Sequence, residues 1–415
     1  MRRSLCYALL IIALAAPAAA DVFRILDDPV DAAQARVDLI QQARKEIDAL
    51  YFLARNDRVT LTALALLRDA RRRDVSSVRL IVDANFQHIP KAILAHLRSE
   101  GVQVRVYHPL TLRHPTWIYR RMHEKVVVVD GERYVTGGRN LAEAYFGMAK
   151  KTNYVDRDVY VEGPSAIEAD RHFENVWSSA DVADLDVRVS ADEERRAAVI
   201  LDDTLRGLEC GGFVRLNTGT DWSLGQNDVA AVHFLPDPQD RLADILAGAK
   251  KSIVIESPYL VPSKSLLDLL AGKVNEGVSV LIVTNSLRSA DGVLAQAGYL
   301  KYRRRVARAG IDVREFKGPD SLHAKSLVID GRIVLVGSYN IDPRSQYLNT
   351  EVMCMADDEE TARTLLDSIA VHIENAWRID GSGRAPRVAH YPGARAKSFR
   401  AWAARFLLPV IEGQL

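Results

Sequence analysis

Beyond its first twenty residues the chain has no apolar run that reads as an unmistakable membrane span. Cysteine is scarce, at 3 in 415 residues. Cys6 lies in the N-terminal segment, and Cys210 and Cys354 alone are too few for a typical structural zinc site. They could form one disulfide in an oxidising compartment, or remain two thiols. Nor is there an excess of either charge, with 55 Lys and Arg against 54 Asp and Glu. That balance argues against a protein that coats nucleic acid. No disordered or collagen-like bias is present. A chain that is 48% hydrophobic and 26% charged has the composition of a globular protein with a sizeable buried interior.

The N-terminus is different. Arg2 and Arg3 precede a mostly apolar stretch from Leu5 to Ala16, then Pro17 and three alanines before Asp21. A charged start, a short hydrophobic segment and a small-residue exit describe a signal peptide over 1–20, the alternative being an uncleaved anchor. Either reading places the body of the protein outside the cytoplasm. Cleavage would leave 53 basic against 54 acidic residues, a net charge of −1.

The body is a tandem duplication. At an offset of 200 residues His123 matches His323, Lys125 matches Lys325, Asp130 matches Asp330 and Asn140 matches Asn340. At the same offset His172-Phe-Glu-Asn-Val-Trp177 matches His372-Ile-Glu-Asn-Ala-Trp377, which a chance motif would not also reproduce. Each unit opens with a helical pattern, Ala33 to Lys45 or Leu242 to Lys251, running into a strand at Ile47–Phe52 or Ile253–Ser257. Buried strands follow at Val78–Val82 and Val278–Val283, then at Gly101–Val106 and Gly310–Arg314. Strands alternating with helices predict an α/β fold, mixed sheets flanked by helices. The expected divisions are 21–194, a connector at 195–229, 230–383 and a C-terminal segment at 384–415. In that segment Phe399, Trp402 and Phe406 fall at helical spacing among basic residues, a stripe for an anionic membrane surface or for docking on the body.

Within each unit the chain reads His-x-Lys, four residues, Asp, six residues, Gly, one residue, x, Asn. On a strand, alternate side chains share a face, so imidazole and ammonium stand side by side where a phosphate could bridge them. Asp130-Gly131 and Asp330-Gly331 read as hairpin turns, the aspartates fixing the turn. Gly137 and Gly337 then allow close backbone approach, and Asn140 and Asn340 can donate hydrogen bonds.

This pattern, His-x-Lys-x4-Asp-x6-Gly-Ser-x-Asn, resembles the signature of the phospholipase D superfamily; the second copy matches throughout and the first carries Gly138 for Ser. Arg120–His123, Gly137–Asn140, Ala144–Gly147, Ser257–Pro262, Thr284–Leu287, Ala297–Tyr299, Asp342–Ser345 and Leu348–Glu351 make the chain most similar to bacterial cardiolipin synthases, and among them to the type C enzymes.

The resemblance implies two motifs meeting at a pseudo-twofold interface to form one active site. One histidine, expected to be His123, attacks phosphorus to give a phosphohistidine. The other, His323, protonates the departing alcohol and then deprotonates the incoming one. Lys125 and Lys325 would neutralise phosphate oxygens, with Asn140, Asn340 and Ser338 adding hydrogen bonds. A nucleophilic imidazole needs an acceptor on its far nitrogen. Glu351 is the candidate near the second motif and Asp156 near the first, with Asp158 in reserve. No metal or other cofactor is required, and chelators should have no effect.

The expected partners are phosphatidylglycerol, phosphatidylethanolamine and a membrane surface, with no nucleic acid, and the expected place is the bacterial periplasm, peripherally on the membrane. A hydrolytic phospholipase D releasing phosphatidic acid would use the same residues. A secreted nuclease, and an inactive lipid-binding protein that kept the fold, are the remaining alternatives. His172 and His372 are expected to pack or lie on the surface.

Overall fold

The computed structural model describes residues 20–386 apart from 112–113, 211 and 227. The N-terminal leader and the C-terminal amphipathic stripe fall outside the described residues.

The first half supplies strands β1 (Asp21–Leu26), β2 (Glu46–Tyr51), β3 (Ser77–Asp83), β4 (Gln103–Tyr107), β5 (Lys125–Val129), β6 (Arg133–Gly137), β7 (Tyr154–Val155), β8 (Asp158–Glu162), β9 (Val182–Asp184) and β10 (Asp228–Val229). The second supplies β11 (Val232–Pro236), β12 (Ser252–Glu256), β13 (Ser279–Asn285), β14 (Asp312–Phe316), β15 (Ser321–Leu322), β16 (Ser326–Ile329), β17 (Ile333–Gly337), β18 (Val352–Asp357) and β19 (Ala376–Arg378). The helices are α1 (Pro29–Gln41), α2 (Arg58–Arg72), α3 (Lys91–Ser99), α4 (Ala166–Trp177), α5 (Ala191–Glu209), α6 (Gln239–Gly248), α7 (Lys264–Asn275), α8 (Val293–Arg308), α9 (Pro343–Tyr347) and α10 (Glu359–Glu374).

The two large sheets repeat one topology, β10-β1-β8-β6-β5-β2-β3-β4-β9 and β11-β18-β17-β16-β12-β13-β14-β19. Both are mixed: β2, β3 and β4 run parallel, as do β12, β13 and β14, while the His-x-Lys hairpins β5-β6 and β16-β17 are antiparallel. Each unit thus begins with a strand, β1 or β11, ahead of the helix that hydrophobic periodicity marks first. Helix α1 runs Pro29–Gln41 rather than Ala33–Lys45. Asp28 caps it through Val30 N–H and Asp31 N–H with Pro29 at the start. Beyond its end, the N–H groups of Arg44, Lys45 and Glu46 all donate to the Asp130 carboxylate. Asp330 accepts from Lys250, Lys251 and Ser252 in the same way. Asp130 and Asp330 themselves adopt φ of 57° and 56°, followed by Gly131 and Gly331 at 63° and 68°, the twist of a two-residue hairpin turn.

The expected boundary at 194–195 falls inside α5, a 19-residue helix with a capping box between Ser190 and Glu193. That helix packs on α2 and α3. The segment after it is anchored to α1 by Trp222 Nε1 to Asp38 at 3.0 Å and Thr218 Oγ1 to Asp38 at 2.7 Å. The stretch read as a connector therefore belongs to the first half. His372 lies on α10, and Trp377, at the end of the repeated segment, lies on β19.

Separate apolar cores lie under the outer helices of each half, and a third lies between the sheets. In that third core Val126, Val128, Tyr134, Val159 and Val161 meet Val328, Val334, Val336, Val352 and Cys354. Fully burying side chains of this size contributes roughly 1.5–3 kcal/mol each. Among the described residues Cys210 and Cys354 are free thiols, Cys210 exposed and Cys354 buried with its Sγ 3.0 Å from Tyr134 Oη. Arg157 crosses the interface fully buried, its guanidinium on Glu256 and on Asp27 at 2.7 Å.

Candidate active site

The His-x-Lys segments reach the interface on exchanged backbone. Just before β5, His123 N–H donates to Thr350 O at 3.0 Å and Thr350 N–H to Arg121 O at 3.0 Å. Just before β16, His323 N–H donates to Val155 O at 2.7 Å, within the small parallel sheet that β15 makes with β7. Each histidine is thereby laid beside the residue that leads into the last central strand of the opposite half. The next residue along the chain, just ahead of that strand, is the acid: Glu351 after Thr350, Asp156 after Val155.

Consequently the carboxylates are crossed relative to expectation. His123 Nδ1 lies 2.9 Å from Glu351 Oε2, and His323 Nδ1 lies 2.6 Å from Asp156 Oδ2. The acid nearest each motif in sequence serves the other motif's histidine, because pairing crosses between the halves. Asp158, the reserve candidate, is committed elsewhere, to Arg36 at 2.9 Å and Arg139 at 3.2 Å. A carboxylate on Nδ1 selects the tautomer that leaves Nε2 unprotonated, the form of a nucleophile.

Glu351 is itself held in place. Ser345 Oγ donates to its Oε1 at 2.6 Å, Asn349 Nδ2 to the same oxygen at 3.4 Å, and Ser338 Oγ to Oε2. Ser338 also accepts Val352 N–H at 3.0 Å. The serine expected to face a phosphate thus serves the carboxylate behind His123. In the first half Gly138 occupies the equivalent place, where a Cβ would collide with the Asp156 carboxylate. The shorter acid and the missing side chain go together. Asn140 Oδ1 accepts Leu53 N–H at 3.2 Å, whereas the equivalent Asn340 Oδ1 is buried with no hydrogen-bond partner among the described residues. Gly137 and Gly337 lie so close to β8 and β18 that a Cβ would overlap the backbone there.

Lys125 and Lys325 have no exposed surface and no carboxylate in direct contact among the described residues. Lys125 Nζ donates to His123 O, and Lys325 Nζ lies 3.1 Å from His323 Nε2. Burial lowers both lysines, Lys125 to about 7 and Lys325 to about 8, with Glu351 and Asp156 opposing. Burial likewise takes His123 down to about 4 against the pull of Glu351, and the charges of Lys125 and Lys325 push the same way. His323 is lowered by burial and by Lys325. Asp156 is burdened by burial yet held low by His323 and Lys325. The groups of both halves sense one another, so the two motifs make one electrostatically coupled site. A phosphodiester seated there would restore protons to the lysines and imidazoles by adding its negative charge.

Sequence reasoning did not anticipate the walls. Beside His123 stand Phe52, with ring centroids 4.8 Å apart, and Phe86 behind it. Beside His323 stand Tyr145 and Tyr154, each 5.1 Å from the imidazole. Asp342, which burial raises to about 7, caps α9 behind Glu351. The paired histidines outside the site differ in partner: His172 Nε2 meets Glu124 at 2.7 Å, and His372 Nδ1 meets Glu256 at 2.6 Å. His172 ties α4 to the start of β5 and His372 ties α10 to the end of β12, both central strands.

Comparison with known proteins gives a consistent result. A family model described as cardiolipin synthase, PLD-like domain, matches residues 37–177 and 242–377, one segment in each half. Cardiolipin synthase C of Escherichia coli strain K12 is 31% identical, over 86% of this chain and 87% of its own. Minor cardiolipin synthase ClsB of Bacillus subtilis strain 168 is 28% identical, over 77% and 73%. Among solved structures, phosphatidylserine synthase of Haemophilus influenzae Rd KW20 superimposes with a TM-score of 0.71 over 95% of both chains at 16% identity, a likeness of fold.

Proposed function

Because this chain belongs to the cardiolipin synthase family of phospholipase D-like enzymes, we propose that it transfers a phosphatidyl group to phosphatidylglycerol through a phosphohistidine, with phosphatidylethanolamine as a donor. The observation that carries this reading is the exchange at the interface. Each imidazole is held by a carboxylate of the opposite half, over two buried lysines that supply positive charge to one phosphate.

In the first step His123 Nε2 forms a bond to phosphorus and the bond to the headgroup oxygen breaks. His323, protonated, gives that oxygen its proton, and the free headgroup alcohol leaves. In the second step neutral His323 takes the proton from a glycerol hydroxyl of phosphatidylglycerol, whose oxygen attacks phosphorus. The P–N bond breaks and His123 returns to its starting form. Splitting the exchange makes each displacement easier, and one group acts as acid then base. Glu351 and Asp156 stabilise the imidazolium that forms at each stage, and Lys125 and Lys325 the charge on the non-bridging oxygens.

The leader at 1–20 supports export, and the aromatic and basic stripe at 384–415 supports peripheral attachment to a membrane on the periplasmic side. The deciding experiment incubates purified protein with a chelator and mixed phosphatidylglycerol and phosphatidylethanolamine vesicles, then identifies phospholipid products by mass spectrometry. Cardiolipin that disappears in His123→Ala and in His323→Ala is the expected result. Phosphatidic acid alone would replace the transferase reading with a hydrolase.

A further inference from the structure

The two sides of the site differ in polarity. The wall beside His123 is apolar, Phe52 against Phe86. The wall beside His323 is built from three tyrosines and one acid. Tyr145 and Tyr154 stack at 4.5 Å and both rings border the imidazole. Tyr154 Oη donates to Asp291 Oδ2 at 3.2 Å, and Tyr259 Oη reaches both oxygens of the same carboxylate at 3.2 Å. Asp291 itself is exposed, on the loop between β13 and α8.

Its charge reaches His323 and Lys325. Asp156, the other acid felt by His323, is fully buried and bound to Nδ1. An exposed carboxylate oriented by hydroxyls and edged by aromatic rings has the chemistry of a cation receptor.

We propose that Asp291, with Tyr145, Tyr154 and Tyr259, forms the subsite that receives the ammonium group of the donor lipid's departing headgroup. This rests on the reading of His323 as the residue that protonates the departing oxygen. In an ethanolamine headgroup the ammonium lies two carbons from that oxygen, so the proton donor and the cation receptor must lie on one wall, and Tyr154 links them, its ring beside His323 and its hydroxyl on Asp291. Glycerol offers Asp291 no charge, and a serine headgroup would bring a carboxylate against it. The subsite therefore selects the donor, while the lysines bind the phosphate common to all of them.

The test separates binding from turnover. In a His123→Ala background, short-chain phosphatidylethanolamine and phosphatidylglycerol below their micellar concentrations are titrated by calorimetry, with and without Asp291→Asn. The expected result is a roughly tenfold loss of affinity for the ethanolamine lipid, and none for the glycerol lipid, the size of a lost charged contact. Equal loss for both lipids, or no loss for either, overturns the proposal. Tyr259→Phe, checked by its melting temperature, should give a smaller loss with the same selectivity. With His123 intact, Asp291→Asn should slow release of ethanolamine about tenfold more than it slows cardiolipin formation from phosphatidylglycerol alone, and equal slowing of both would overturn the proposal. An intact enzyme that turns over no lipid would defeat the transferase and hydrolase readings alike, while the binding titration would still decide the fate of the subsite.

Discussion

Gly138 and Ser338 occupy equivalent places, yet one leaves room for Asp156 and the other holds Glu351. Gly138→Ser is therefore expected to push Asp156 off His323 and lower kcat at least tenfold, since an acid that holds its imidazole typically contributes a factor of this order or more. Combining it with Asp156→Glu, which copies the second half, should recover part of the loss; steady-state kinetics of both variants decide it. The pH dependence follows from the lysines. Lys125 and Lys325, lowered by burial to about 7 and about 8, lose their charge as pH rises through that range. In the free enzyme kcat/KM should accordingly fall above pH 7, and loss of the proton that His323 must donate, its pKa lowered by burial and by Lys325, adds to the fall, whereas His123, at about 4, is neutral from pH 5 upward and adds none. A profile flat to pH 9 would contradict these assignments.

At the scale of elements, the His-x-Lys hairpins are set by their turns. Asp130 accepts three backbone N–H groups from the segment joining α1 to β2, so it pins the hairpin to the neighbouring strand. Asp130→Ala is expected to cost about 2–3 kcal/mol, from three hydrogen bonds at roughly 1 kcal/mol each, measured by urea unfolding. The strands themselves were legible because β-branched runs bounded by Gly and Asp mark them, as at Val126–Val129. Helix α5 was not, because it opens with five consecutive charges from Asp192 to Arg196, and its partners α2 and α3 are distant in sequence. Strand β1 was missed for a similar reason: its six residues adjoin the leader, and its pairing with β8 is far along the chain.

For the whole molecule, the interface between the halves is both core and active site. Arg157 and Glu256 are buried on opposite sides of it, and breaking such a pair strands a charge. Arg157→Met is expected to destabilise the protein by about 3–5 kcal/mol and to lower activity with it, measured by chemical unfolding alongside product formation. A mutant of unaltered stability would mean that the halves are held by their apolar faces alone.

The sequence by itself determined the duplication, the strands that carry the motifs, and the histidines, lysines and acids that meet at the site, because these depend on local pattern and on a repeat visible at one offset. The tertiary structure decided which acid holds which histidine. Glu351 stands 228 positions from His123, and Asp156 167 positions from His323. Nothing local distinguishes an acid that serves its own half from one that serves its partner. That choice is made only where the backbone of one half pairs with the backbone of the other, and the tyrosine and carboxylate wall beside His323 is assembled by the same folding of distant segments onto one face.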